Sequence, residues 1–421
     1  ERWRFMMLNI KRGLLILLAI AAFEVSAQEK LNLQQVLKEI EQNNQALKAY
    51  DSRIQGKEAK VEGAGAWMAP MVGAGTFMTP YPGSEVMDPD DKGAWMLSAE
   101  QEIPNPVKIR AKTEYLKAQS AIDLAAKGAS ANDLKAIGKE LYYDLIVAYR
   151  KIRYQKENLQ IMGTMKKIAE IRYPYNQAGL NNVFKAEGRS YEAENMILMT
   201  ESEKNSKKIA LNALMNRPYG TSFEIDTTIQ VTFMPVAQLD TAYLASARSD
   251  IRQMDQSINV MRLNINQMRQ EAKPDFSIRF EHMSSRSAMM PNQYTLMGMI
   301  SIPIAPWSSK MYKSEVKSMG FEVQGMQQER EAMLTRMMGM TKSMETELKT
   351  MEKQLNNYEN KILPSLSKNL KVSMLSYQEN KAELATVIDS WETINMAQMN
   401  YLDQLQRFYK MIVEYERSVQ K

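Results

Sequence analysis

Methionine and histidine are the chain's soft and borderline metal ligands: 34 methionines, one histidine and no cysteine in 421 residues. The lack of cysteine excludes disulfides, zinc–thiolate sites and thiol nucleophiles. A thioether is a neutral, soft donor that selects Cu(I) and, by the same softness, Ag(I). It is also an adaptable core filler. Spacing helps to separate the two uses. Met319, Met326, Met333 and Met340 recur every seven residues, with Met337, Met344 and Met351 at the offset of four. That is the a/d stripe of a coiled coil, and packing accounts for it. His282, Met283, Met289, Met290, Met297 and Met299 occupy two alternating segments and the loop between them, where packing does not call for so many thioethers. Two readings stay open for this group: transient Cu(I)/Ag(I) contact, or packing. Met68, Met71, Met78 and Met96 form a smaller group of the same kind. With one histidine and no glycine-rich phosphate loop, no catalytic constellation emerges, and no resident cofactor is expected.

Two strand-to-helix junctions must position these side chains. In Gln293–Ile302, Tyr294, Leu296, Gly298, Ile300 and Ile302 fall on one face and Thr295, Met297, Met299 and Ser301 on the other. A period of two with unlike faces is a strand between two surroundings. Pro303 and Pro306 then end the ladder, because proline cannot donate to it and disfavours helix in the residue before. Ser308 or Ser309 is placed to cap the helix that follows. An earlier segment repeats the pattern. Trp95, Leu97, Ala99, Gln101 and Ile103 alternate with Met96, Ser98, Glu100 and Glu102, and Pro104 and Pro106 follow. Pro104 and Pro303 are 199 residues apart, and Val183-Phe184-Lys185-Ala186 precedes Val387-Ile388-Asp389-Ser390 by 204. One unit used twice, with a short insertion in one half, accounts for both offsets.

The chain divides accordingly. Residues 1–27 read as a secretory signal, with residues 1–6 upstream of the true start: Lys11 and Arg12 precede apolar Leu14–Phe23, and Val25-Ser26-Ala27 is an A-x-A-like cleavage site. Residues 28–220 form a first repeat: a helix over Leu31–Gly63 capped by Asn32, and a hairpin over 63–103 with strands Gly63–Met78 and Gly93–Ile103. A helix from Val107 to about Tyr173, a turn at Asn176–Asn182 and a returning helix Val183–Asn216 complete it. Residues 221–239 are a linker. Residues 240–421 form the second repeat: a helix over Asp240–Lys273, a hairpin over 274–302, a helix Ser308–Tyr377 with a kink at Pro364, a turn at Gln378–Glu383 and a last helix Leu384–Val419. The fold class is mostly α with a small β part.

No segment after residue 27 has the ~20 apolar residues of a membrane helix, so a membrane role rests on the strands, which cross when about 9–11 residues long. Four strands cannot close a barrel with a lumen, and open edges cannot sit in lipid, so closure needs further copies of the chain. The formal charge of +5 is interspersed along helices, which argues against a nucleic-acid surface.

The junction Gln101-Glu102-Ile103-Pro104-Asn105-Pro106-Val107-Lys108, its second copy at Ile302-Pro303, and the turns ending at Val183–Ala186 and Val387–Ser390 resemble the TolC family of outer-membrane efflux channels. The resemblance covers essentially all of the chain after residue 27. The octapeptide is similar to the Gln-x-Ile-Pro-x-Pro-Gly-Lys pattern of the heavy-metal efflux branch, with Val107 at the glycine. The resemblance implies a homotrimer whose twelve strands close one barrel in the outer membrane of a Gram-negative bacterium. The helices would form a coiled-coil α-barrel across the periplasm. It implies periplasmic tips at Asn176, Gly179, Asn182, Gln378, Asn380 and Glu383, where a periplasmic adaptor coupled to an inner-membrane RND-type transporter would dock. It also implies a closing constriction just past the second tip. Asp389 falls on one position that is acidic in better-known members, and Thr386 occupies the other; a solvated helix residue is the second reading of Asp389.

Together these point to the exit duct of a tripartite efflux system, doing no chemistry itself. The methionines and the octapeptide favour copper or silver as cargo. Drug efflux or type I secretion is the alternative within the family. A periplasmic coiled-coil adaptor or scaffold without a pore is the alternative of another class; it accounts for the heptads but not for four alternating strands.

Overall fold

The computed structural model describes residues 29–85, 92–175, 179–229, 231–287, 290–303 and 305–420. The expected signal segment 1–27, Asn176 and Met289 lie outside them. In chain order the elements are β1 (Glu29–Leu31), α1 (Leu33–Asn43), α2 (Gln45–Glu62), β2 (Met71–Phe77), β3 (Ala94–Ile103), α3 (Pro106–Arg172), α4 (Leu180–Leu214) and β4 (Phe223–Ile225). Then come α5 (Thr241–Ala247), α6 (Ser249–Gln270), β5 (Asp275–Ser285), β6 (Gln293–Ser301), α7 (Pro306–Asn357), α8 (Leu363–Gln378) and α9 (Leu384–Val419). The chain is mostly helical with a small β part, as the alternating and heptad patterns imply. Among the described residues no helix is long and apolar enough to cross a membrane.

Local chemistry explains where elements start and stop. Asn32 opens α1 with a reciprocal capping box: its side chain accepts the Gln35 N–H at 2.8 Å, and the Gln35 side chain accepts the Asn32 N–H at 2.9 Å. The single helix expected over Leu31–Gly63 is two. Asn44 turns extended (ψ 126°), and its side chain donates to the Leu214 carbonyl at 3.0 Å. The helix expected over Asp240–Lys273 also divides, at Arg248 (ψ 125°), which pairs with Asp250 and donates to the Ser418 carbonyl. The strand expected from Gly63 begins only at Met71, because Pro70 cannot donate to a ladder.

Both long helices start on a proline. Pro106 and Pro306 take the first helical position, where the missing N–H has no intrahelical partner to lose and φ is already set. Asn105 caps α3, accepting the Val107 N–H at 3.0 Å and donating to the Pro274 carbonyl at 2.8 Å. The cap expected at Ser308 or Ser309 does not form. Both lie inside α7, and Ser308 donates back to the Ala305 carbonyl at 3.0 Å. The kink expected at Pro364 is a π turn over Tyr358–Ile362, directly ahead of it. Pro364 has no N–H for the Asn360 carbonyl, and its ring would strike that carbonyl; the wider turn relieves both.

Two compact units result. The first takes 29–44, Leu134–Met234 and Glu347–Glu414. There β1 and β4 pair in parallel, and the buried Tyr142 hydroxyl donates to the Leu31 carbonyl and accepts the Asp226 N–H, each at 3.1 Å. Near its helical turns Met162, Met165, Val183, Ala186, Leu370, Leu384, Val387, Ile388 and Trp391 close a core. The second unit takes Gln45–Asp133, Pro235–Thr346 and the chain from Tyr415. In it α6 and α7 share a seam of Ile258, Ile265, Met319 and Val323, with Met326 packed against it.

The methionine heptad leaves this seam along α7. Met319 is 4% exposed but Met340 is 51% exposed, and Leu334, Thr341, Glu345 and Leu348 are the buried positions instead. Leu334, Thr341 and Leu348 keep the same seven-residue spacing one residue out of phase with Met333 and Met340, with Glu345 at the offset of four from Thr341, and Met351 of the methionine stripe is buried again.

Candidate functional site

The second unit carries one antiparallel sheet in the order β2-β3-β5-β6. Cross-strand partners share a face. Val72 and Ala99, Leu97 and His282, Phe280 and Leu296, and Phe276 and Ile300 are such partners. With Trp95, Ile103, Ile278 and Tyr294 they make a mainly apolar face, which also carries Thr76, Gln101 and Ser284, and it is open: Leu296 is 66% exposed. Gly73 and Ser98, Glu100 and Arg279, and Glu281 and Thr295 share the opposite, polar face. There Arg279 donates Nε and Nη2 to one Glu100 oxygen at 2.9 and 2.6 Å. None of the strand residues of this sheet is buried within the chain, and β2 and β6 are edges without a partner among the described residues. The alternation was visible in sequence; the Glu100–Arg279 pair was not, since charge complementarity across strands appears only with the register.

All five strand methionines, Met71, Met96, Met283, Met297 and Met299, lie on the polar face. His282 lies on the apolar face between Leu97 and Tyr294, so the structure separates it from Met283, Met297 and Met299. Adjacent residues of a strand point to opposite sides, and a site using both His282 and Met283 is not formed within this sheet. Met96 and Met283 are directly opposed; Met297 and Met299 stand opposite Arg279 and Ser277, farther along. Met78, Met283 and Met290 line one cavity of about 170 Å³ at the hairpin-loop end. Met68 and Met299 line a cleft at the other end, where strands meet helices. Lys108 projects into that cleft and donates to Asp275 at 2.8 Å and Glu271 at 3.1 Å. Burial opposes its charge, but the two carboxylates outweigh it and hold the ammonium above its ordinary value. Among the described residues no group of three His, Asp or Glu side chains converges to hold a metal.

The helical turns belong to the first unit. Gly179 precedes α4, and its carbonyl accepts the Asn182 N–H at 3.0 Å. Gln378 ends α8. Asn380 takes a left-handed φ of 61°, a conformation asparagine tolerates, and the Lys381 N–H closes the turn onto the Ser376 carbonyl at 2.8 Å. Arg172 donates to the Gln378 carbonyl at 2.9 Å and lies 4.5 Å over the Tyr377 ring. The Glu383 carbonyl accepts the Thr386 N–H at 3.1 Å, starting α9. Thr386 and Asp389 stand one turn apart on the exposed side of α9, while Leu384, Val387, Ile388 and Trp391 face the core. A charge mesh links the helices behind them. Lys166 donates to Glu187 at 2.6 Å, and Arg189 pairs with Glu192 and Glu392. The Lys166 hydrogen bond and charge hold the Glu187 carboxyl below its ordinary value. Sequence spacing alone had not singled out these pairs.

A four-stranded sheet with one open, mainly apolar face and long proline-started helices together make up the fold. Among solved structures the chain is similar to the outer-membrane channel OprN, at 14% identity over 92% of this chain and 89% of that chain, with a TM-score of 0.72. It is also similar to CusC, a protein of transmembrane channel formation, at 14% identity over 92% and 91% with a TM-score of 0.75. A third is the open state of the Neisseria gonorrhoeae MtrE outer membrane channel, at 14% identity over 92% and 88% with a TM-score of 0.71. At that identity the likeness is one of fold, and it is the fold that the resemblance to the TolC family implies. No family model and no curated protein matches the sequence.

Proposed function

We propose that this chain is the exit duct of a tripartite efflux system in the outer membrane of a Gram-negative bacterium, and that its cargo is a soft metal ion, Cu(I) or Ag(I). The sheet carries the reading: an open apolar face, a polar face behind it and two unpaired edges. Open edges are not tolerated in lipid, so the strands of three copies close one barrel, apolar face to lipid and polar face to the lumen. Residues 28–220 and 240–421 act as two copies of one repeat joined by 221–239. Each supplies two strands, a proline-started helix, a turn and a returning helix. The turns at Asn176, Gly179 and Asn182 and at Gln378, Asn380 and Glu383 receive a periplasmic adaptor coupled to an inner-membrane RND-type transporter, which supplies the energy. Asp389, with Thr386 beside it, narrows the duct at rest.

The placement of the methionines favours a soft cation. As apolar filler they would serve best against lipid, yet all five strand methionines fall on the polar face. A conduit must also release its cargo, so such contacts are weak.

The test is growth of a strain lacking the gene on graded copper and silver, beside drugs and detergents, with fractionation of the protein. Sensitivity to the metals alone, restored by the intact gene, and a heat-resistant trimer in the outer membrane are expected. Sensitivity to drugs alone overturns the cargo and leaves the duct standing. A soluble periplasmic protein overturns the duct.

A further inference from the structure

We infer that Met78, Met283 and Met290 form a weak thioether site for a monovalent soft cation, Cu(I) or Ag(I), at the hairpin-loop end of the sheet. The inference takes its physiological role from the cargo reading above, but its chemistry stands independently. The three methionines come from three separate segments, just after β2, near the end of β5 and just before β6, and line one cavity of about 170 Å³. The backbone is built to bring them there. Met78 holds a left-handed φ of 47°, uncommon for any residue but glycine. Gly93 faces it at φ 75°, where an added Cβ would lie 2.8 Å from the Phe77 carbonyl oxygen and 2.9 Å from that of Met78. The Arg286 N–H donates to the Gly93 carbonyl at 3.1 Å and ties the second hairpin to the first.

Packing does not explain this cluster. Met78 is 80% exposed and Met290 is 50% exposed, so neither gains much from burial. Among the described residues the cavity lining holds no carboxylate and no imidazole, so there the thioethers define the preference for a soft cation. Met96, directly opposite Met283, places a fourth thioether beside the site. His282 takes no part, since it lies on the other face of the sheet.

Silver nitrate in chloride-free buffer, added to the full-length protein in detergent, is the probe. Two measurements are made. Equilibrium binding compares the wild type with the triple variant Met78→Leu/Met283→Leu/Met290→Leu and with a control triple variant in α7, Met319→Leu/Met326→Leu/Met333→Leu. Leucine keeps side-chain volume while removing the sulfur. The site variant is expected to lose about one Ag(I) per chain, since the three thioethers are its ligands, and the control to lose none. The second measurement needs no variant. Peroxide converts exposed methionines to sulfoxides, and bound Ag(I) should slow this at Met78, Met283 and Met290 at least several-fold relative to Met340.

Equal losses in both variants, or silver protection spread evenly over the methionines, overturns the site. Protection at Met297 and Met299 instead moves binding down the polar face and also overturns it. The cargo reading fails separately. Silver bound at this cavity by a protein whose loss leaves cells metal-resistant supports the site and removes the cargo; metal-sensitive cells with no silver footprint do the reverse.

Discussion

Trp391 and Leu296 are both large apolar residues on regular elements, and the chain treats them in opposite ways. Trp391 is 4% exposed within a core near the helical turns; Leu296 is 66% exposed on a sheet face left open among the described residues. The difference comes from spacing. Leu384, Val387, Ile388, Trp391 and Ile394 recur at three and four residues, which gathers them on one stripe that closes against neighbouring helices. Leu296 belongs to a period of two, which gives every second residue to the same open face. Apolar content is thus no measure of a core. The stripe around Trp391 buries its own apolar surface, whereas the sheet face around Leu296 stays open among the described residues.

The largest expected effect breaks the helical side of this comparison. Trp391→Ala should cost about 3–5 kcal/mol, because it leaves a large cavity among residues that cannot collapse into it. Denaturant unfolding followed by the helical far-ultraviolet signal measures it. Trp391→Phe should cost less, since it also removes an indole N–H that has no hydrogen-bond partner. Leu296→Ala should be near neutral in detergent. If it were as costly as Trp391→Ala, the sheet would have a core of its own and the contrast would fail.

The next prediction sharpens the contrast between the two faces of the sheet. Leu296→Arg puts a charge on the apolar face, at a cost of about 2–4 kcal/mol if the position lies near the bilayer midplane. Met297→Arg, one residue along, puts the same charge on the polar face and should change little. Folding equilibria in lipid vesicles compare the pair, and equal costs would mean that the faces are wrongly assigned.

The same contrast shows what could be read from sequence. The alternation at Leu296 and Met297, the two proline junctions and the turns were legible because each rests on a local rule: a period of two, a missing N–H, a tight turn. The separation of His282 from its neighbouring methionines is also a period-two consequence, but grouping by nearness along the chain obscured it. The cavity at Met78 was not legible, because it joins segments about two hundred residues apart through the register of β3 with β5. The methionine seam failed for another reason. Two seven-residue series run along α7 one residue apart, and burial follows Leu334, Thr341 and Leu348 rather than Met333 and Met340, a choice the spacing of the methionines does not make.

The smallest expected effect separates the two regions by acid. Lys166 lowers the Glu187 carboxyl below its ordinary value of 4.5 by a hydrogen bond and by its charge. A lowered folded value means that the pair stabilises the folded chain fully above pH 4.5, progressively less as pH falls toward the folded value, and not at all below both. Lys166 is itself raised above 10.5, chiefly by the same hydrogen bond, so it stays charged through this window. The pair is solvent-screened, and its contribution is correspondingly modest. Glu187→Gln should therefore lower the melting temperature slightly at about pH 6, and the gap from wild type should close on acidification to about pH 3. Leu296→Arg should behave otherwise, since arginine does not titrate in this range and its penalty comes from lipid. A gap at Glu187 that persists undiminished at the acid end would mean that the carboxylate is not what Lys166 stabilises, and the helical turns would lose their assigned response to acid.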